Sequence, residues 1–353
     1  MSNMLTTSEG LELLTNGDIL ELGQAANQVR QEIHPDNIVT FVVDRNINYT
    51  NICTSECRFC AFYRKEGHAE GYTLSESVIF EKLQETIEAG GTQVMLQGGL
   101  NPALGLDYYV KLLQFIKKNF DIIVHSFSPA EILHIAKQEG LSVVETLSKL
   151  KAAGLDSLPG GGAEILVDAV RARVSPKKIS AGDWLAVMEA AHSVGLETTA
   201  TMVIGMGETY AQRMEHMEKI RKLQEKTGGF RAFIIWSYQP GNTELGGEKI
   251  SAWDYLKTLS VARLYFNNIK HIQGSWVTQG QNIGQLTLAF GANDLGSIML
   301  EENVVKAAGT AYEMSIGKMV ELIRATGKKP AQRNTQYEII KTFEMESTND
   351  KVN

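Results

Sequence analysis

Short apolar runs rich in β-branched residues alternate with helix-length segments along nearly the whole chain, and that alternation constrains the fold more than any other feature. The runs are Ile38–Val43, Thr92–Leu96, Ile122–His125, Thr198–Ile204, Phe230–Trp236 and Ile272–Val277, and two shorter segments read as strands, Asp156–Leu158 and Gly291–Asn293, fall into the same alternation. Between them lie helical stretches such as Ser75–Ala89, Asp107–Asn119, Ala181–Val194 and Tyr210–Lys226. Continuous apolar runs, as opposed to alternating ones, mark strands covered on both faces, and helical crossovers between them imply parallel pairing. About eight such units in roughly 300 residues fit a (β/α)8 barrel better than an open doubly wound sheet. The expected organisation is one domain over residues 1–353. Residues 1–34 form N-terminal helices packed under the barrel, 38–300 the barrel core, and 301–353 a C-terminal helical segment and tail. The loops after each strand then gather on one face, where active sites of such barrels lie.

The three cysteines all fall in one stretch, Cys53-Thr-Ser-Glu-Cys57-Arg-Phe-Cys60, in the loop that leaves the first strand. An odd, clustered set is no disulfide framework and reads as a metal site. A structural zinc normally takes four ligands, and no fourth cysteine exists; His68 is the nearest residue that offers a substitute. Phe59, Phe62 and Tyr63 surround the last thiolate, a shell suited to a group kept dry. Three thiolates on a short tether suit a four-iron cubane with one iron left open, able to chelate the amino and carboxylate groups of S-adenosylmethionine. Its one-electron reduction of the sulfonium gives a 5′-deoxyadenosyl radical.

Other classes are set aside. With 34 Lys and Arg against 41 Asp and Glu the net charge is −7, without the basic stripe of a nucleic-acid binder. No apolar run approaches the roughly 20 residues of a membrane span, and residues 1–9 lack the layout of a secretion signal; a cytoplasmic enzyme is expected. No Walker A loop, dinucleotide fingerprint or nucleophile elbow occurs.

Several strand ends offer supporting groups. Gln97-Gly98-Gly99 lets backbone approach a ligand and could present a carbonyl to the methionine ammonium, or simply turn the chain. Pro159-Gly160-Gly161-Gly162-Ala163-Glu164 suggests another backbone contact, with Glu164 accepting from ribose hydroxyls or serving only as a first-turn carboxylate. Lys177 and Lys178 could pair with the methionine carboxylate, although a solvated basic pair explains at least one. His125-Ser126 ends the third strand, with His125 facing substrate or buried as a core histidine. Asn293-Asp294 and the loop from Tyr238 to Asn242 belong to the same face. Met202, Met206, Met214 and Met217 read as core filling.

Cys53-x3-Cys57-x2-Cys60 after a barrel's first strand resembles the radical S-adenosylmethionine superfamily. Longer stretches narrow the resemblance: residues 39–53, Cys57-Arg-Phe-Cys-Ala-Phe-Tyr-Arg64, residues 91–99, Leu155-Asp-Ser-Leu-Pro-Gly-Gly-Gly-Ala-Glu164, Ser275-Trp-Val-Thr-Gln279, Phe290-Gly-Ala-Asn-Asp-Leu-Gly296 and Pro330-Ala-Gln-Arg-Asn334. From about residue 20 to about residue 337 the chain is similar to the dehypoxanthine futalosine cyclases of the futalosine route to menaquinone. That resemblance implies a [4Fe-4S] cluster on Cys53, Cys57 and Cys60, with S-adenosylmethionine near Gln97, Gly98, Gly99 and Glu164; Ser126 and Lys178 are added as cofactor-binding candidates from their positions. It implies hydrogen abstraction at ribose C4′ of dehypoxanthinyl futalosine, closure onto the benzoate ring, and loss of an electron and a proton. A flavodoxin or ferredoxin would supply the reducing electron. Arg45, Asn46, Arg64 and Lys65 are candidates for holding the benzoate carboxylate, and Glu164, Asp294 and His125 for the catalytic proton acceptor. At Met206-Gly207-Glu208 relatives often carry histidine, so no proton transfer is assigned there. The alternatives are an aminofutalosine synthase-like radical enzyme and a non-catalytic iron–sulfur or zinc module.

Overall fold

The computed structural model describes residues 5–343. Ten strands form in chain order: β1 (Ile38–Val42), β2 (Asp44–Ile47), β3 (Gln93–Leu96), β4 (Ile123–Val124), β5 (Thr198–Ile204), β6 (Phe230–Ser237), β7 (His271–Gln273), β8 (Asp294–Ser297), β9 (Lys329–Arg333) and β10 (Ile339–Thr342). β1 and β2 are one extended run interrupted at Val43. β2, β3 and β4 pair in parallel. Single bridges from His125 to Ser157 and from Leu158 to Thr198 carry the ladder across the short fourth position to β5. From β5 the parallel ladder continues through β6, β7 and β8 to β1. The eight strand positions expected from the alternation thus close into a (β/α)8 barrel.

Local chemistry fixes the helix ends. Ser142 and Glu145, Ser180 and Asp183, and Thr209 and Gln212 each form reciprocal capping boxes, which satisfy backbone donors that a first turn leaves unpaired. The stretch expected as helical over Ala130–Ala153 divides into Pro129–Glu139 and Val143–Ala153, because Gly140 takes the left-handed conformation that ends the first. Only Asp168–Val174 is helical in the segment expected from Ala163 to Arg173. The N-terminal segment forms two helices, Thr7–Asn16 and Ile19–Ile33, packed on Tyr210–Thr227 and Ala252–Tyr265. The four methionines read as core filling are all buried.

Three expectations are corrected. The seventh strand stops at Gln273, since Trp276–Gln279 is a short helix. The eighth starts at Asp294, three residues beyond the expected start at Gly291. The C-terminal segment is not purely helical. After Asn303–Ala307 and Ile316–Arg324 the chain returns as β9, parallel to Ile38–Phe41 of β1, and β10 pairs antiparallel to β9. Along the lower half of that strand β9 occupies the position that β3 takes beside β2. Gln332 Nε2 donates to the Gly90 carbonyl at 3.0 Å, and Thr335 Oγ1 to Gln93 Oε1 at 2.5 Å. β9 thereby pairs the β1 backbone over Ile38–Phe41, which β3, paired to Asp44–Ile47, does not reach. Residues 344–353 of the expected tail lie outside the described residues.

Candidate active site

The loop from β2 to the helix Glu76–Glu88 carries the cysteines, and backbone bonds pin it. Cys53 N donates to the Arg64 carbonyl at 2.9 Å, Thr54 N to Leu100 at 3.1 Å, Arg58 N to Val174 at 2.9 Å, and Cys60 N to Cys57 at 3.0 Å. All three thiols are free and line one chamber of about 240 Å³ at the C-terminal mouth of the barrel. Burial pushes the Cys57 thiol up to about 12, and burial likewise raises Cys60. Without a metal these groups stay protonated; thiolates form there only when a cation compensates them. Phe59, Phe62 and Tyr63 line the same chamber. His68 is exposed and its Nδ1 accepts from Glu70 N at 3.1 Å, so it is not poised as a fourth ligand. Among the described residues no three His, Cys, Asp or Glu converge on a single-ion point. In a cubane each cysteine binds its own iron, and that demand differs from a mononuclear site. The donor set fits a cluster with three protein ligands.

The glycines beside the loop have a packing reason. A Cβ on Gly99 would lie 2.2 Å from the Ile52 carbonyl oxygen and 2.7 Å from Cys53 Cβ, and one on Gly98 would strike the Tyr49 ring at 2.4 Å. The Gln97 carbonyl accepts from Asn48 Nδ2 at 3.0 Å, and that of Gly99 from Asn101 N at 2.9 Å. Among the described residues the Gly98 carbonyl accepts no hydrogen bond. Gly160 is required by β5, whose Thr199 carbonyl would lie 2.5 Å from its Cβ, whereas Gly161 and Gly162 line the chamber.

Opposite the thiols, Glu164 accepts from Lys178 Nζ at 2.8 Å and Arg171 Nη1 at 3.3 Å, with Glu164 and Arg171 buried and Lys178 partly so. Burial opposes the charge on Lys178, but Glu164 outweighs it and holds the ammonium protonated. Lys177 turns outward to Glu56 at 2.6 Å, the solvated partner of the pair.

Glu131 was not anticipated. It lines the thiol chamber from the first turn of Pro129–Glu139 and accepts from Tyr49 OH at 2.6 Å, Ser128 Oγ at 2.5 Å and Gly98 N at 3.0 Å. Burial, opposed by those bonds, raises its carboxyl to about 7. Its only sequence signal is the capping pattern Ser128-Pro-Ala-Glu131, which speaks of a helix start and not of a ligand.

Beneath this chamber the barrel holds a second one of about 340 Å³, sharing Phe59, Gln97, Gly161, Gly162, Glu164 and Val304 with the first. His125, Trp236, Tyr238, Gln239 and Arg231 line it. His125 Nδ1 bonds Ser157 Oγ at 2.5 Å; burial, then the charges of Arg231 and Arg333, keep the imidazole neutral. Two expected residues do not reach either chamber. Ser126 is fully buried, with Oγ accepting from Leu96 N at 2.9 Å, a bond between neighbouring strands. Asp294 is sealed below the cavity, bound to Arg333 Nε at 2.6 Å and Nη2 at 3.1 Å, Thr40 Oγ1 at 2.6 Å and Gly296 N at 2.8 Å. Burial disfavours its charge, but Arg333 outweighs burial and holds the carboxyl below its ordinary value. Of the candidates for holding the carboxylate, Arg45 pairs with Glu85 at 2.6 Å, Arg64 caps the carbonyls of 61–63 and pairs with Glu70, and Lys65 pairs with Glu56; of the four only the amide-bearing Asn46 lines the lower chamber.

Comparison with known proteins agrees with this geometry. Residues 47–220 match the radical SAM superfamily and residues 227–346 the CofH/MqnC C-terminal region. The chain is 49% identical to a cyclic dehypoxanthine futalosine synthase of Halalkalibacterium halodurans over 98% of this chain and 94% of that one. It is 44% identical to the enzyme of the same name from Streptomyces coelicolor, covering 95% and 85%. A 5-amino-6-(D-ribitylamino)uracil–L-tyrosine 4-hydroxyphenyl transferase of Methanococcoides burtonii is 41% identical, covering 95% and 96%. Among solved structures, methylornithine synthase (PylB) superposes with TM-score 0.72 at 21% identity, covering 94% and 95%. The hydrogenase maturase HydG of Carboxydothermus hydrogenoformans superposes with TM-score 0.75 at 16% identity, covering 95% and 77%. Those two likenesses concern the fold.

Proposed function

Because this chain belongs to the radical S-adenosylmethionine superfamily, whose members use a [4Fe-4S] cluster and S-adenosylmethionine, we propose that it cyclises dehypoxanthinyl futalosine. The observation that carries the reading is the near full-length match at 49% to a synthase of that name. The paired chambers support it, because a thiol-lined site opens directly onto a cavity sized for a small molecule.

Cys53, Cys57 and Cys60 would hold the cluster. When bound, cluster and S-adenosylmethionine supply a radical that removes hydrogen from an unactivated carbon. The chain's own part is placement and exclusion of water. The unpartnered Gly98 carbonyl would receive the methionine ammonium, Lys178 its carboxylate, and Glu164 the ribose hydroxyls. Gly161 and Gly162 form the boundary between the chambers, so the sugar of the substrate would lie there with its aryl end below. Closing a ring within one bound molecule needs only that both carbons be held in reach. Of the three proton acceptors considered from sequence, Glu164 is ion-paired and Asp294 is sealed away. His125 faces the cavity neutral, with Nε2 free of the Ser157 bond, and would receive the proton lost as the ring regains aromaticity.

A flavodoxin or ferredoxin would deliver the electron, and the reaction would run in the cytoplasm; among the described residues no helix is long and apolar enough to cross a membrane. Residues 1–353 would act as one domain. The 41% match to the hydroxyphenyl transferase favours a second reading. Anaerobic, reduced enzyme given S-adenosylmethionine and dehypoxanthinyl futalosine should release 5′-deoxyadenosine with a product two hydrogens lighter. A parallel mixture with tyrosine and 5-amino-6-(D-ribitylamino)uracil should remain unreacted. Turnover in the second mixture alone would make the chain a transferase.

A further inference from the structure

At the floor of the barrel chamber lies a buried guanidinium with no partner for its fork. The Arg231 side chain is 8% exposed, and its Nε and Nη2, which together make one bidentate edge, are buried without a hydrogen bond. Its nearest carboxylate is Glu197, an exposed side chain 3.8 Å from Nη1. Donors buried without a hydrogen bond, charged ones above all, carry a desolvation cost that nothing returns. A structural arginine would have recovered that cost within the chain, as Arg333 does with Asp294.

The backbone aims this residue inward on purpose. In β6, Ile234 and Trp236 face the chamber, while Phe230 points out against Trp184 and His192. Strict alternation from Ile234 would turn Arg231 outward with Ala232 inward. The β5–β6 register slips between Thr198 and Thr199, pairing Thr198 with Phe230 and Thr199 with Ala232. That irregularity inserts Arg231 as an extra residue and turns it into the barrel, the usual effect of a bulge.

We propose that Arg231 anchors the carboxylate of an aryl-carboxylate ligand at the barrel floor, a residue role that deepens the cyclase reading and rests on it for the ligand's identity. The fork matches a planar carboxylate. His125 brings a ring to the same chamber, and Tyr337 lines it with its own ring held between His271 and the Arg333 guanidinium. Arg231 and Arg333 give the floor two positive charges against the single negative charge of Asp294. Of the chamber's own acids, Glu164 is ion-paired, and burial raises the carboxyls of Asp44 and Glu302. From Arg231 to Trp236 the strand rises about 16 Å, so a ligand anchored below presents its far end near Gly161 and Glu164.

The test is calorimetric titration of reconstituted enzyme and its Arg231→Gln and Arg231→Lys variants with dehypoxanthinyl futalosine and its carboxamide analogue. Arg231→Gln should weaken the acid about a hundredfold and leave the amide unchanged. Arg231→Lys, with charge but no fork, should fall between. The unliganded Gln variant should melt no lower than wild type, since it loses an unpaired buried charge. Undiminished acid-over-amide preference in Arg231→Gln, or in Arg231→Lys if the first fails to fold, overturns the proposal. If wild type does not bind dehypoxanthinyl futalosine, the cyclase reading fails by itself, and benzoate against benzamide then judges the anchor. A benzoate preference lost with Arg231 supports it, and no such preference in wild type overturns it.

Discussion

Replacing Arg333 with Met removes one half of a buried ion pair and leaves the other half stranded. Arg333 and Asp294 are 6% and 0% exposed, and two charge-assisted bonds of 2.6 and 3.1 Å join them. At roughly 1.5–3 kcal/mol for each hydrogen bond to a charged group, the geometry gives about 3–6 kcal/mol. This agrees with the roughly 3–5 kcal/mol lost when one partner of a buried pair is deleted. In urea denaturation of the anaerobic, reconstituted protein at pH 7, Arg333→Met should lose about 4 kcal/mol. Asp294→Asn combined with it should lose about 2 kcal/mol less than the sum of the single changes, because the pair couples. The pH dependence carries a sign. In wild type the Asp294 carboxyl lies below its ordinary 3.8, so its contribution is full above 3.8 and is lost as pH falls through the folded value. Without Arg333, burial dominates, as it does for Asp44, whose carboxyl is raised despite bonds from Ser297 and Gln93. The deficit of the Met variant should therefore shrink as pH falls from 7 toward 3.8. A loss under about 1 kcal/mol, additive single changes, or a deficit that grows on acidification would refute the pairing as the clamp on β9.

Three further outcomes follow from the site. Cys53→Ala, Cys57→Ala and Cys60→Ala should each reduce 5′-deoxyadenosine release to background and lower iron content; full turnover in any one contradicts the ligand assignment. Gly99→Ala must move backbone, because its Cβ would meet the Ile52 carbonyl at 2.2 Å; it should cost about 1–3 kcal/mol and reduce iron retained per chain. Glu131 has a folded value raised to about 7 from 4.5, so its contribution is full below 4.5 and is lost as pH rises toward 7, about 3 kcal/mol across that window. Glu131→Gln should flatten that fall in a stability-versus-pH series, and an unchanged slope would place the titration elsewhere.

Much of the site was legible because it is local. Three cysteines within eight residues share one loop whatever the rest of the chain does, and glycines at strand ends identify the loops that approach them. Glu164 and Lys178, fourteen positions apart, were visible as candidates, yet nothing local distinguishes Lys178, which turns inward to Glu164, from Lys177, which reaches Glu56 in solvent. Ser126 and Asp294 show the converse. Ser126 follows a strand end that faces the correct mouth but ties β3 to its neighbour, whereas Asp294 opens β8 at the opposite end of the barrel and is held by β9.

What the amino-acid order settled unaided was the periodic part: eight strand–helix units, the hand of their crossovers and hence a closed barrel, since burying an apolar run needs no knowledge of its partner. Tertiary structure alone decided matters that depend on distant partners. β9, with its Lys-Pro-Ala-Gln-Arg sequence, has neither apolar character nor β-branching and is a strand only because β1 offers it an open edge. Arg231 looks like a solvated strand end until a one-residue slip against β5 turns it inward. Glu131 looks like a helix cap until burial makes it titrate near neutrality. Charge placement inside a barrel is set by what encloses it, and that enclosure is assembled from segments hundreds of residues apart.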